Sequence, residues 1–228
     1  PSWSPDERSI VWSLEEKDPS VQMSSLKDKS SKVFVDGAKP VFSSDGEQIA
    51  FVREGALWVT DVSPVDPYPI MLPIKRGINR PIWSPDGEWF VYESMGTCWQ
   101  VSLYGGEPIR ILSVGANCSP SSWLMNSKGI YFHDWSDEND RPNEYGLGSI
   151  KMVNVENLPS SGQYVSPNIG GGTPDISNSG DFAANGDYVA RSGLQIYKFK
   201  ERLRKKINFS QKSKHSVSEA SISPSETR

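Results

Sequence analysis

Trp83-Ser84-Pro85-Asp86-Gly87 decides the reading of this chain, because the string recurs along it. It appears as Trp3-Ser4-Pro5-Asp6-Glu7 and as Phe42-Ser43-Ser44-Asp45-Gly46. Worn copies follow at Trp123-Leu124-Met125-Asn126-Ser127, Ile176-Ser177-Asn178-Ser179-Gly180 and Ile222-Ser223-Pro224-Ser225-Glu226. The first position therefore returns at 3, 42, 83, 123, 176 and 222, in steps of 39, 41, 40, 53 and 46. A period near forty residues signals a stacked or radial array of supersecondary units.

Residues 81–120 show what one unit contains. Pro81-Ile82-Trp83 is a short apolar segment that runs into the turn Ser84-Pro85-Asp86-Gly87. Ser and Asp can bond the local backbone, Pro presets φ for a type I turn, and Gly accepts the left-handed conformation that follows. Then come Trp89–Tyr92, Cys98–Leu103 and Pro108–Leu112, β-branched and aromatic runs separated by Met95-Gly96 and Gly105-Gly106. The spacing predicts four strands per unit and no helix. Gln48–Arg53 and Ala56–Val62 repeat the plan, with a proline-rich outer strand expected in Tyr68–Ile74. Leu194–Phe199 and Lys205–Phe209 repeat it again, while the outer strands of the first, most polar unit are the hardest to place.

Four-stranded antiparallel units at this period predict an all-β fold, a β-propeller of about five blades plus the first strand of a sixth. Repeats start near 1, 40, 81, 121, 174 and 220, so residues 1–228 read as a single propeller domain. The aromatics at 3, 42, 83 and 123 are expected to pack between blades. Both ends fall inside a repeat and read as cuts, which makes a fragment of a propeller with six or more blades the expectation.

Composition narrows the function. The net charge of −4 gives no general attraction to nucleic acid or anionic membrane. No apolar run reaches the roughly 18 residues of a spanning helix. Cys98 and Cys118 lie twenty residues apart; a disulfide is one reading, and two separate buried thiols are the preferred one. Neither His133 nor His215 accompanies a nucleophile elbow, and no zinc spacing, phosphate loop or nucleotide fingerprint occurs. No catalytic, cofactor or metal residues are predicted. His133 ends an apolar strand and reads as structural; Gly170-Gly171-Gly172 reads as an inter-blade loop. The basic run Lys198, Lys200, Arg202, Arg204, Lys205 and Lys206 reads as an exposed hairpin.

The stretch Asp134 to Glu144 is the outlier and accounts for much of the enlarged fourth repeat. Its oxygens at 134, 136, 138 and 140 alternate as in a calcium loop, but the turn glycine and the closing glutamate are absent. Insertions on rigid repeat scaffolds commonly carry specificity. Asp134, Trp135, Asp137, Glu138, Asp140 and Arg141 are therefore the candidate partner-binding residues.

The Trp-Ser-Pro-Asp-Gly string, with the Gln48–Val52 strand and the Leu-Trp and Ile-Tyr strands at 56–62 and 194–199, resembles the WD-like repeats of TolB-type β-propellers. It is also similar to blades in the N-terminal propeller of dipeptidyl peptidase IV relatives. The resemblance covers the whole chain and implies a non-catalytic scaffold that binds a protein or peptide through loops or the central channel. It also implies an extracytoplasmic setting, and a monomer is expected. The alternative it implies is the accessory N-terminal propeller of a prolyl-oligopeptidase-like serine hydrolase. A propeller lyase or glycosidase is disfavoured, because the inner-strand segments are mostly apolar or hydroxyl-bearing.

Overall fold

The turn that defines the repeat forms as its residues dictate. In the computed structural model the Ser84 carbonyl accepts the Gly87 N–H at 3.0 Å. The Ser84 hydroxyl donates to Asp86 Oδ1 and accepts from the Trp89 N–H, while the same Asp86 oxygen accepts from Glu88 N–H at 3.1 Å. Ser4/Asp6 and Ser43/Asp45 build the same lock on Arg8/Ser9 and Glu47/Gln48. In the fourth repeat Asn126 still accepts from Lys128 N–H, although leucine has replaced the serine.

The structure describes residues 1–14, 17–63, 66, 68–69, 77–112, 117–134, 149–160, 162–167, 175–177, 182–186, 193–198 and 203–208. Among the described residues the strands form five four-stranded antiparallel sheets, each with its strands in chain order. The chain divides into two compact units, Pro1–Arg110 and Ile111–Arg228.

The first unit holds three sheets. Its strands are β1 (Ser2–Trp3), β2 (Ser9–Leu14), β3 (Ser20–Ser25) and β4 (Ser30–Asp36); then β5 (Ala38–Phe42), β6 (Gln48–Arg53), β7 (Ala56–Asp61) and β8 (Tyr68–Pro69); then β9 (Asn79–Trp83), β10 (Trp89–Ser94), β11 (Thr97–Ser102) and β12 (Ile109–Arg110). Successive residues of a strand face opposite sides of the sheet, and β6 uses both. Ile49 and Phe51 join Val11, Val21 and Phe42 in a core between the first and second sheets. Ala50, with Leu57 and Val59 of β7, joins Trp83, Phe90, Tyr92 and Val101 in a core between the second and third. Burial on both faces explains why β6 reads as a continuous apolar run rather than an alternation. Trp83 and Phe90 meet at 4.5 Å between ring centroids, and the Trp83 indole N–H returns to the Gly87 carbonyl at 3.0 Å.

The second unit holds β13 (Cys118–Trp123), β14 (Gly129–Asp134), β15 (Ser149–Asn154) and β16 (Gln163–Pro167), with a 3-10 turn at Val155–Asn157. Its second sheet is β17 (Asp175–Ile176), β18 (Phe182–Gly186), β19 (Gly193–Lys198) and β20 (Leu203–Asn208). Ile150, Ile176 and Ala183 form the core that joins the two.

Phe42, Trp83 and Trp123 are buried as expected, whereas Trp3 is only half-buried. The outer strands of the first sheet are six and seven residues long despite their serines. Polarity hides them in the sequence, yet it suits β4, an edge that exposes residues 30–33 and carries Lys32. The expected outer strand of the second sheet is limited to Tyr68–Pro69 among the described residues. The expected first strand of a sixth blade, near 220, and the Gly170–Gly172 loop lie outside the described residues.

One expectation is corrected. Cys98 and Cys118 are both buried, but neither is a separate thiol: each is disulfide-bonded. Burial could be read for Cys98 from the β-branched and aromatic run that it begins, whereas β13 is rich in serine, and the spacing of the cysteines does not encode whether they are bonded.

In the four described turns the fourth position has positive φ, with Gly46 at 77° and Gly87 at 78°, and Glu7 and Ser127 at 57°. A β-carbon on Gly46 would lie 3.1 Å from Pro5 Cδ of the preceding turn, while one on Gly87 would meet nothing within 4 Å. Gly87→Ala should therefore cost only the left-handed backbone penalty, about 1–2 kcal/mol. Gly46→Ala should cost that plus displacement of Pro5, so urea melts should show the larger loss for Gly46→Ala.

Candidate functional site

The enlarged fourth repeat is built on an uninterrupted ladder. β14 and β15 pair from Gly129↔Asn154 to Asp134↔Ser149, and residues 135–148 join them. The same connection in the second and third sheets consists of Glu54-Gly55 and Met95-Gly96 alone. The insertion therefore starts and ends on two adjacent, register-locked strands.

At its root, Lys151 Nζ donates to Asp134 Oδ2 at 2.8 Å, with side chains 16% and 5% exposed. Lys151 opposes Phe132, so it reaches Asp134 diagonally across the ladder. An ion pair this enclosed is screened far less than a surface pair, and removal of either partner is costly. Asp134, expected among the partner-binding residues, spends its carboxylate inside the root. Trp135, Asp137, Glu138, Asp140 and Arg141 lie outside the described residues. Lys151 had one sequence signal, a lone cation within Ile150–Val153.

His133 is fully buried between Ser119 of β13 and Ile150 of β15, in keeping with a structural role. His215 lies outside the described residues. Among the described residues, no group of three or more His, Cys, Asp or Glu could hold a metal ion, and no helix is long and apolar enough to cross a membrane. β19 and β20 do form the hairpin predicted for the basic run.

A second feature was not visible in the sequence. A cleft of about 210 Å³ lies between the turns of the first two sheets, with Pro5, Met23, Phe42 and Val62 as apolar lining and Asp6 and Asp45 at its polar edge. The Ser43 hydroxyl, then the Glu47 N–H, hold the Asp45 carboxyl below its ordinary value of 3.8. The Ser4 hydroxyl and the Arg8 N–H do the same for Asp6. Both groups are anions at neutral pH, and their bonds are turn locks.

No protein-family model matches the sequence, and no curated protein matches it. Solved structures do. TolB from Acinetobacter baumannii superposes with a TM-score of 0.72 at 18% identity, over 95% of this chain and 54% of that one. A putative TolB from Agrobacterium tumefaciens gives 0.66 at 14%, over 88% and 71%. The chain has the TolB-like β-propeller fold.

This TolB-like chain spans about half the length of the Acinetobacter protein. An oligogalacturonate lyase from Vibrio parahaemolyticus also superposes, with a TM-score of 0.58 at 11% identity over 99% of this chain and 83% of that one. At these identities the likeness is one of fold, and a TolB-like propeller framework by itself does not separate a scaffold from an enzyme. The five sheets are blades, and the insertion joins the second and third strands of blade four.

Two outcomes follow from the carboxylates. A group whose pKa falls on folding stabilises the fold above its unfolded value of 3.8, and that contribution disappears as pH falls through the folded value. Asp45→Asn should thus be less stable than wild type at neutral pH, with the difference shrinking as pH falls below 3.8 toward the lowered folded value, as read by urea melts across the range. Lys151→Ala, which leaves the buried Asp134 carboxylate without that cation, should lose roughly 3–5 kcal/mol. The paired replacement Asp134→Asn with Lys151→Met should recover a substantial part of the loss in the same measurement.

Proposed function

We propose that this chain is a non-catalytic β-propeller scaffold that binds a protein or peptide partner through its loops, with the blade-four insertion as the main recognition element. One observation carries this reading: residues 135–148 replace a two-residue turn and spring from a ladder whose last pair is backed by the buried Asp134–Lys151 contact. A rigid root with a polar, aromatic-bearing insertion is how scaffolds place specificity without altering their core. Trp135 and Arg141 are the anchors, since Trp and Arg dominate binding energy at protein interfaces. Asp137, Glu138 and Asp140 set the charge of the contact, and Asp134 holds the root.

The reading also places the protein in an oxidising, extracytoplasmic compartment, supported by two disulfide-bonded cysteines. The absence of a nucleophile elbow in the sequence and the enclosure of His133 favour a scaffold over an enzyme. Partner capture should be compared between wild type and a variant with residues 135–148 replaced by Asn-Gly. Loss of the partner with an unchanged melting temperature is expected; equal capture by both proteins would refute the recognition loop. Trp135→Ala alone should weaken binding about tenfold or more.

A further inference from the structure

Among the described residues, seven non-glycine positions have positive φ. Five lie in turns between strands: Glu7, Lys29, Glu54, Met95 and Ser127. The other two, Lys39 at 54° and Arg80 at 46°, lie inside strands β5 and β9. Each precedes a proline, Pro40 or Pro81, which further disfavours helical backbone at the residue before it. Each stands three residues before its blade's inner aromatic, Phe42 or Trp83, so the two occupy one position of the repeat.

The ladders show the cause. Ala38 pairs with Val52 and Val41 with Ala50, so Lys39-Pro40 together oppose Phe51. Asn79 pairs with Glu93 and Ile82 with Val91, so Arg80-Pro81 oppose Tyr92. Both are β-bulges, devices that re-aim a side chain and interrupt pairing. β5 and β9 are the first strands of adjacent sheets, each with one edge outside its ladder, and they contact one another. The Lys39 N–H is pinned to Ser13 Oγ at 2.8 Å, which holds the first bulge from the neighbouring blade.

Glycine would adopt this backbone without strain. Two blades instead place a long cation there, in a chain of net charge −4. Both residues are half-buried, where a charge acts through a lower dielectric than at an open surface. Arg80 also has an interaction within the protein, but a guanidinium has five N–H donors and can serve more than one acceptor. Glu93, opposite Asn79, engages the Gly96 N–H at 2.7 Å with one oxygen.

We propose that the paired bulges at Lys39 and Arg80 form a binding site for carboxylates of an acidic, extended segment of a partner protein. The two cations bind side-chain carboxylates, and an extended segment presents successive carboxylates along its length to cations on adjacent strands. The site rests on the scaffold reading above and adds the charge of the partner to it.

The test uses the whole chain and a fluorescein-labelled hexaglutamate peptide, with hexalysine as control, read by anisotropy. Wild type should bind hexaglutamate and not hexalysine. Lys39→Gly and Arg80→Gly should each weaken binding at least about tenfold while the melting temperature stays level or rises, because the strain is relieved. Lys39→Asn and Arg80→Asn, which also accept left-handed backbone, give the same readout should a glycine variant not fold. No binding by wild type, equal binding by the variants, or displacement by inorganic phosphate as readily as by unlabelled hexaglutamate would each overturn the site. The protein with residues 135–148 replaced should still bind hexaglutamate, so failure of this site and failure of the recognition loop are told apart.

Discussion

The hydroxyl of Ser84 is shared between the Asp86 carboxylate and the backbone of Trp89, and through it the first two strands of a blade are held at one distance and one register. Ser4 and Ser43 do the same. The constraint matters because register in a strand is binary: a slip of one residue turns every side chain to the other face. With both faces of β6 buried against different neighbours, such a slip would exchange the partners of Ile49 and Phe51 with those of Ala50. The lock also depresses the carboxyl that makes it, so the turn contributes most at neutral pH.

The aromatic of the string couples this local lock to the inter-blade core. Trp83 packs its ring with Phe90 and among residues of blade two, while its indole N–H bonds the carbonyl of Gly87 in its own turn. A buried indole needs such a partner, and the turn supplies it. At the opposite strand end, the Arg53 guanidinium lies 4.9 Å from the Trp58 ring and 5.3 Å from the Phe51 ring, and its Nε donates to the Asp36 carbonyl of blade one. Neighbouring blades of the first unit are thus joined by apolar faces in the middle and by a cation stacked on aromatics at an edge.

The architecture was legible because its determinants are local. Ser, Pro, Asp and Gly declare a turn at fixed positions, and paired aromatic and β-branched runs declare the strands beside it. What could not be read depends on partners distant in sequence. β3 (Ser20–Ser25) and β4 (Ser30–Asp36) are serine-bearing and polar, and their strand character comes from the pairing of β3 with β2 and of β4 with β3. The cysteines are bonded, which spacing alone did not reveal. At the insertion, Asp134 was legible as part of an unusual acidic run, but its neutralisation by Lys151, across the ladder and seventeen residues later, was not. The Lys39 and Arg80 bulges were hidden for a related reason: Lys-Pro and Arg-Pro are unremarkable dipeptides until a ladder shows one residue too many.

Departures from the repeat follow a physical logic. A blade can vary the residues of its polar turn and keep the turn's geometry: Asn126 accepts the Lys128 N–H as aspartate does elsewhere, and Ser127 keeps the positive φ of glycine. It cannot freely change an inner strand that packs against its neighbour. Extra residues there must be absorbed as bulges, and bulged residues before proline carry strain that a neutral drift toward glycine would remove. Two adjacent blades holding the same strain at the same repeat position, both with cations, is difficult to attribute to packing, since the bulge needs no charge. The insertion in blade four obeys the complementary rule. Its ladder stays in register to the last pair, so β14 and β15 keep their places beside one another, and the buried ion pair closes the ladder at the root of the insertion.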